Sequence, residues 1–283
     1  MTEITTTPHP PAASGSPGLF TVPLGQSFLD RIAKAVLDGA LPRPDGVPPG
    51  IPGLPTYTIL LPTRRAARAL QEAFLRAGRG KALLLPQIRP IAEGDEDQDL
   101  ISGLANPNRH AMSLDIPPKI GELDRRLVLT KLVQRWSEAM RAGTGGEDGG
   151  LEPYAGAGAR TPAQAVHLAS ELCQLIDMIE TEGMPLDRLA GLVPDVHSEH
   201  WQQTLRFLDI IISWWPEHLE SSGQLSPADR RNRLIMGEAE RLRRAPPDGP
   251  VIVAGVTGSI PATTELMKAV AALPNGAIVL PGL

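Results

Sequence analysis

The residues that decide which chemistry is open to this 283-residue chain are a short loop and an arginine cluster. Val22-Pro23-Leu24-Gly25-Gln26-Ser27-Phe28 joins an apolar run to a segment of helical period, where a phosphate-cradling loop would stand in a nucleotide-hydrolysing α/β domain. Such a loop needs glycines whose N–H groups face the phosphates, a lysine that reaches the β and γ oxygens, and Ser or Thr on magnesium. Gly25 and Ser27 are here without the lysine, so the loop is degenerate, and an ordinary turn with Ser27 as helix cap is favoured over a weak anion site. Hydrolysis also needs an acidic pair at a strand end, yet Val251 to Val256 runs into Thr257-Gly258-Ser259 with no acid. Nothing would then neutralise phosphoryl charge in the transition state, and no catalytic residue is assigned.

The arginines form the second cluster. Arg64, Arg65, Arg68 and Arg76 follow Thr63 after an apolar run, with Arg64 and Arg68 one helical turn apart, opposite a packing stripe of Ala66, Leu70, Ala73 and Ala77. Guanidinium groups beside helix-start N–H groups suit the phosphates of a single strand, and a solvated arginine face accounts for the same residues equally well. His197 and His200 with Asp195 and Glu199 lack a further ligand motif and read as a helix start in solvent. Glu93-Gly94-Asp95-Glu96-Asp97 reads as a charged loop, and Trp215 falls on an apolar stripe beside Trp214, which favours core packing over base stacking. No metal site is expected.

The elements that must position these residues alternate in type. Leu19–Val22 is a strand, followed by a helix through Phe28, Ile32, Ala35 and Val36 that closes at Gly39. Tyr57–Leu61 is a second strand, Lys81–Pro86 a third, Val251–Val256 a fourth and Ala277–Leu280 a fifth, with a helix through Thr264, Lys268 and Ala271 between the last two. Strands alternating with helices imply a parallel sheet covered on both faces, with ligands at the carboxyl ends of its strands.

The middle of the chain reads as amphipathic helices, through Leu129 to Met140, Leu168 to Ile179 and Trp201 to Leu219. Thr161-Pro162-Ala163-Gln164 and Ser226-Pro227-Ala228-Asp229 mark helix starts, and Pro216 is expected to kink or end the third helix. The expected organisation is a disordered tail over 1–17, an α/β domain over 18–121 that resumes over 245–283, and an all-helical insertion over 122–244.

Composition limits the rest. Net charge is −5, so any DNA contact has to be local rather than spread over the surface. The single Cys173 excludes a disulfide framework within the chain and reads as an inert core thiol, which fits a cytoplasmic compartment. No apolar run of about 18 residues occurs, so no membrane partner is expected.

With these residues in place, Ile59-Leu60-Leu61-Pro62-Thr63-Arg64-Arg65-Ala66-Ala67-Arg68-Ala69-Leu70 resembles the superfamily 1 helicase segment in which a strand ending in Thr enters a basic, alanine-rich helix. Ala254-Gly255-Val256-Thr257-Gly258-Ser259-Ile260-Pro261-Ala262-Thr263 and Val279-Leu280-Pro281-Gly282-Leu283 resemble the alphaproteobacterial type of AddB, a subunit of the AddAB helicase-nuclease. The resemblance covers about Leu19 to Leu283 and implies a RecA-like sheet of a helicase-like domain with an inserted helical subdomain. It further implies double-strand break repair, contact of Thr63, Arg64, Arg65 and Arg68 with single-stranded DNA, double-stranded DNA as a further partner, and a heterodimer with an AddA-like motor.

Family members are several times longer and carry a nuclease domain with an iron-sulfur cluster and magnesium. The chain is therefore expected to be an N-terminal piece that is not itself an enzyme, within a subunit that acts as a nuclease in an ATP-dependent complex. A nucleotide-binding α/β enzyme with a degenerate phosphate loop, or a purely structural interaction module, are the alternatives.

Overall fold

In a computed structural model, residues 18–43, 46–80, 82–91, 115–143, 161–186 and 199–282 are described. Among them, five strands, β1 (Gly18–Val22), β2 (Thr58–Leu61), β3 (Gln87–Pro90), β4 (Val251–Ala254) and β5 (Gly276–Pro281), form one sheet in the order β1-β5-β4-β2-β3. Every pairing is parallel. Seven longer helices accompany them among the described residues: α1 (Phe28–Leu37), α2 (Arg64–Ala77), α3 (Glu122–Gly143), α4 (Pro162–Thr181), α5 (Glu199–Ser222), α6 (Pro227–Arg244) and α7 (Pro261–Ala271). This is an α/β fold of the RecA-like kind.

Parallel strands need cover on both faces, and the sequence supplies it. Ile59, Leu61, Ile252, Ala254 and Val279 point to a core shared with Ile32 and Val36 of α1 and with Leu70, Ala73 and Phe74 of α2. Leu60, Val251 and Val253 point the other way, to a core shared with Leu266 and Val270 of α7 and with Ile235, Ala239 and Leu242 of α6. All four residues of β4, Val-Ile-Val-Ala, are buried, which is why that strand reads as an unbroken apolar run. Gly276 starts β5 where a Cβ would lie 1.9 Å from the Val270 carbonyl oxygen, so a side chain there would displace the end of α7.

The chain divides into two compact units, Met1–Ser113 with Arg231–Leu283, and Leu114–Arg230. The division falls inside α6, whose later residues belong to the core under the sheet. In the second unit, Leu129 and Val133 of α3, Ala169, Leu172 and Ile176 of α4, and Trp215 and Leu219 of α5 make a separate core. Thr161 caps α4 in a complete capping box, its hydroxyl accepting from Gln164 N and the Gln164 side chain accepting from Thr161 N.

Three local expectations are corrected. The third strand is Gln87–Pro90, not Lys81–Pro86, because Leu83 and Leu85 are spent packing against the core while the more polar Gln-Ile-Arg-Pro takes the sheet edge, where proline is tolerated. Of the two outcomes expected at Pro216, a kink or an end, the end is overturned: Pro216 lies inside α5, and burial of Trp215 and Leu219 on one face accompanies the helix to Ser222. The stripe of α2 is rotated: Ala67, Leu70, Ala73 and Phe74 are buried, whereas Ala66 and Ala77 are only partly so.

Leu70 is fully buried between α2 and the sheet. Leu70→Ala is expected to lower the unfolding free energy by about 3 kcal/mol in urea titration, the usual cost of a core cavity. A decrease below about 1 kcal/mol would show that α2 does not depend on this packing.

Candidate functional site

A parallel sheet carries the carboxyl ends of its strands along one edge, and here three of them run directly into helices. β1 leads through Pro23–Ser27 into α1, β2 through Pro62-Thr63 into α2, and β4 through Gly255–Ile260 into α7. α1 and α2 pack on one face and α7 on the other, so the strand order switches between β2 and β4. That is where ligands of open α/β sheets bind. A Cβ on Gly255 would lie 3.1 Å from Phe28 Cε1 and 3.9 Å from Pro62 Cδ, so the Phe28 ring and the Pro62 ring close in on the switch point.

The loop before α1 is a turn, and its helix start already carries an anion. Gly25 takes a φ of 84°, open to glycine without strain, and the loop leans on the chain beyond β5, where a Cβ on Gly282 would lie 2.8 Å from Leu24 Cδ2. Ser27 holds the cap position of α1, but its hydroxyl does not bond the helix backbone as expected of a cap. It donates to the Asp30 carboxylate, one turn into the helix.

Arg76 of α2 reaches the same carboxylate from across the helix pair, its Nη2 2.6 Å and its Nε 3.2 Å from Asp30 Oδ1. The bonds from Ser27 and Arg76 hold the Asp30 carboxyl below the ordinary carboxylate range. It therefore stays ionised at neutral pH, and its carboxylate, paired with Arg76, sits in the first turn of α1, where the helix dipole favours a negative side chain. At Gly25 and Ser27 the structure places the Asp30 carboxylate beside the helix start. Arg76, counted with the basic cluster from its position in the sequence, is engaged in this ion pair and leaves the cluster.

The remaining arginines stand at the start of α2. Thr63 caps that helix, its Oγ1 accepting from Ala66 N at 3.1 Å. Arg65 and Arg68 are exposed, one helical turn apart, while Arg64 is half-buried. The rotation of the packing stripe explains Arg64, which stands one turn before the buried Ala67. The first turn of α2 has no acidic residue. Cations at a helix N-terminus oppose the helix dipole at a cost of about 0.3–1 kcal/mol each, so local stability gives no reason for this arrangement.

The other candidates separate from this edge. Trp215 is fully buried, with the Arg125 guanidinium 5.8 Å from its ring centroid, and Trp214 stacks on His218. Cys173 is half-buried, and burial pushes its thiol pKa up. Asp195, His197 and Glu93–Asp97 lie outside the described residues, and α5 begins at Glu199 with His200 next to it. Among the described residues, no three His, Cys, Asp or Glu side chains are grouped to hold a metal, and no helix is long and apolar enough to cross a membrane. The sequence reading missed Asp30 and its link to Arg76, for which the only signal is an acid three residues after a Ser cap.

No protein-family model matches the chain, and no curated protein matches it.

The purified chain is expected to release no phosphate from ATP above background, with magnesium and single-stranded DNA present. Turnover abolished by Ser27→Ala would contradict this account of the α1 loop.

Proposed function

We propose that the chain is a non-hydrolysing, helicase-like, DNA-binding part of an AddB-type subunit that works in DNA double-strand break repair. The observation that carries this reading is the cationic start of α2, where Arg65 and Arg68 are exposed next to the capping Thr63 at the carboxyl edge of the parallel sheet. A phosphate seated there would answer both guanidinium groups and would remove the conflict with the helix dipole. Arg64 sits at the inner side of the same turn. The RecA-like sheet and the resemblance of Ile59–Leu70 to the superfamily 1 segment support the same reading.

Hydrolysis is assigned elsewhere in the proposed complex. The α1 loop has no lysine, the β4 loop has no acid, and Asp30 holds the place of an anion at α1. In this proposal an AddA-like motor subunit supplies ATP-driven unwinding, while an iron-sulfur cluster and a magnesium-dependent nuclease belong to further domains of the AddB-type subunit. Single-stranded DNA is the ligand proposed for α2, and double-stranded DNA is a substrate of the complex. The work is cytoplasmic.

Arg65→Ala with Arg68→Ala tests the reading, because both side chains are exposed and the variant should fold as the parent does. Single-strand affinity is expected to fall, and the slope of log affinity against log salt to become shallower by about 0.7 for each phosphate that is no longer neutralised. Unchanged affinity and slope, with an unaltered circular dichroism spectrum, would make the arginines a solvated face.

A further inference from the structure

Within the unit Leu114–Arg230, a polar network holds the start of α6. Arg125 of α3, only 4% exposed, donates to both Asp177 oxygens at 2.8 and 2.9 Å and to the Cys173 carbonyl at 3.0 Å. Its charge is thus committed to Asp177 of α4. One turn further along α4, Glu180 accepts a hydrogen bond from the hydroxyl of Ser226, a fully buried residue directly before Pro227 at the start of α6.

The backbone on either side of Ser226 is anchored elsewhere. Leu225 N donates to the Pro118 carbonyl at 2.9 Å, Ile120 N donates to the Leu225 carbonyl at 2.9 Å, and buried Arg230 donates its Nε to the Pro117 carbonyl at 3.1 Å. Glu180 is therefore a side chain by which α4 holds a junction already tied to residues 117–120.

The charges facing Glu180 come from each packed element. Asp177 lies on its own helix, Asp229 on α6 and Arg125 on α3. Burial, followed by repulsion from Asp229 and Asp177, pushes the Glu180 carboxyl up to about 7, against the lowering effects of the Ser226 bond and Arg125. A carboxyl of this kind changes charge within the physiological range.

We propose that Glu180 is a proton-operated latch on the junction Gln224–Arg230: with its proton on, it sits neutral among Ser226, Asp177 and Asp229 and holds the start of α6, and on losing the proton it loosens that start. The direction follows from linkage. The folded carboxyl titrates above its ordinary value of 4.5, so the closed junction has its full stability below that value and loses it progressively as pH rises towards about 7. Above that, both closed and opened forms are ionised and the effect levels off.

Hydrogen–deuterium exchange on the full chain between pH 5.5 and 8.5, corrected for intrinsic exchange, reads this latch at residues 222–230 and 117–120. Protection is expected to fall by up to tenfold per pH unit below about 7 and then level off. Glu180→Gln keeps an acceptor for Ser226 without a charge, and its protection should be high and flat across the range. A pH-independent parent, or the same pH dependence in Glu180→Gln, would overturn the proposal. If that variant does not fold, the carboxyl carbon resonance of Glu180 in the parent decides: titration near 7 supports the latch, and titration near 4.5 ends it.

Discussion

The ladder from β5 through β4 to β2 is the constraint on which the rest depends. β1 pairs with β5, β5 with β4, and β4 with β2, so the strands that come first in the chain are joined through the two that come last. Backbone groups buried between two helical layers must find partners, and a parallel sheet gives them only if each strand stays in register with both neighbours. β4 and β5 are therefore built almost wholly of residues that tolerate burial, and Gly276 lets β5 start hard against the end of α7.

One consequence is chemical. Because all strands run the same way, the turns after β1, β2 and β4 share an edge, and three helix starts gather where anions are usually bound. The three starts have different chemistry: α1 carries its own anion in Asp30, α7 begins at Pro261 behind a loop without acids, and α2 is cationic with its threonine cap intact. In the proposed reading, α2 is the start that meets a polyanion's backbone, and α1 is not assigned a part in breaking a phosphoanhydride bond.

Much of the sheet was legible because parallel strands buried on both faces leave an unmistakable mark, as Thr-Ile-Leu-Leu and Val-Ile-Val-Ala show. The edge strand β3 left no such mark: its apolar neighbours Leu83 and Leu85 carry the hydrophobic signal while Gln87 to Pro90 carry the ladder. The position of the arginines was readable, but their separation into exposed Arg65 and Arg68, half-buried Arg64 and paired Arg76 was not. It depends on which face of α2 Phe74 draws into the core, and on an ion pair between residues 46 apart in sequence. The Glu180–Ser226 bond spans an equal distance in sequence and is likewise visible only once the helices are packed.

The central claim is that the carboxyl edge of the sheet meets nucleic acid at α2 and not nucleotide at α1. Backbone amide resonances of the isotopically labelled chain, followed during titration with a short single-stranded oligonucleotide and separately with ATP and magnesium, test it most directly. The account predicts saturable shifts centred on Thr63 to Arg68 with the oligonucleotide, and no saturable change at Gly25 to Asp30 with ATP. Saturable shifts at Gly25 to Asp30 with ATP, and none at Thr63 to Arg68 with DNA, would contradict it.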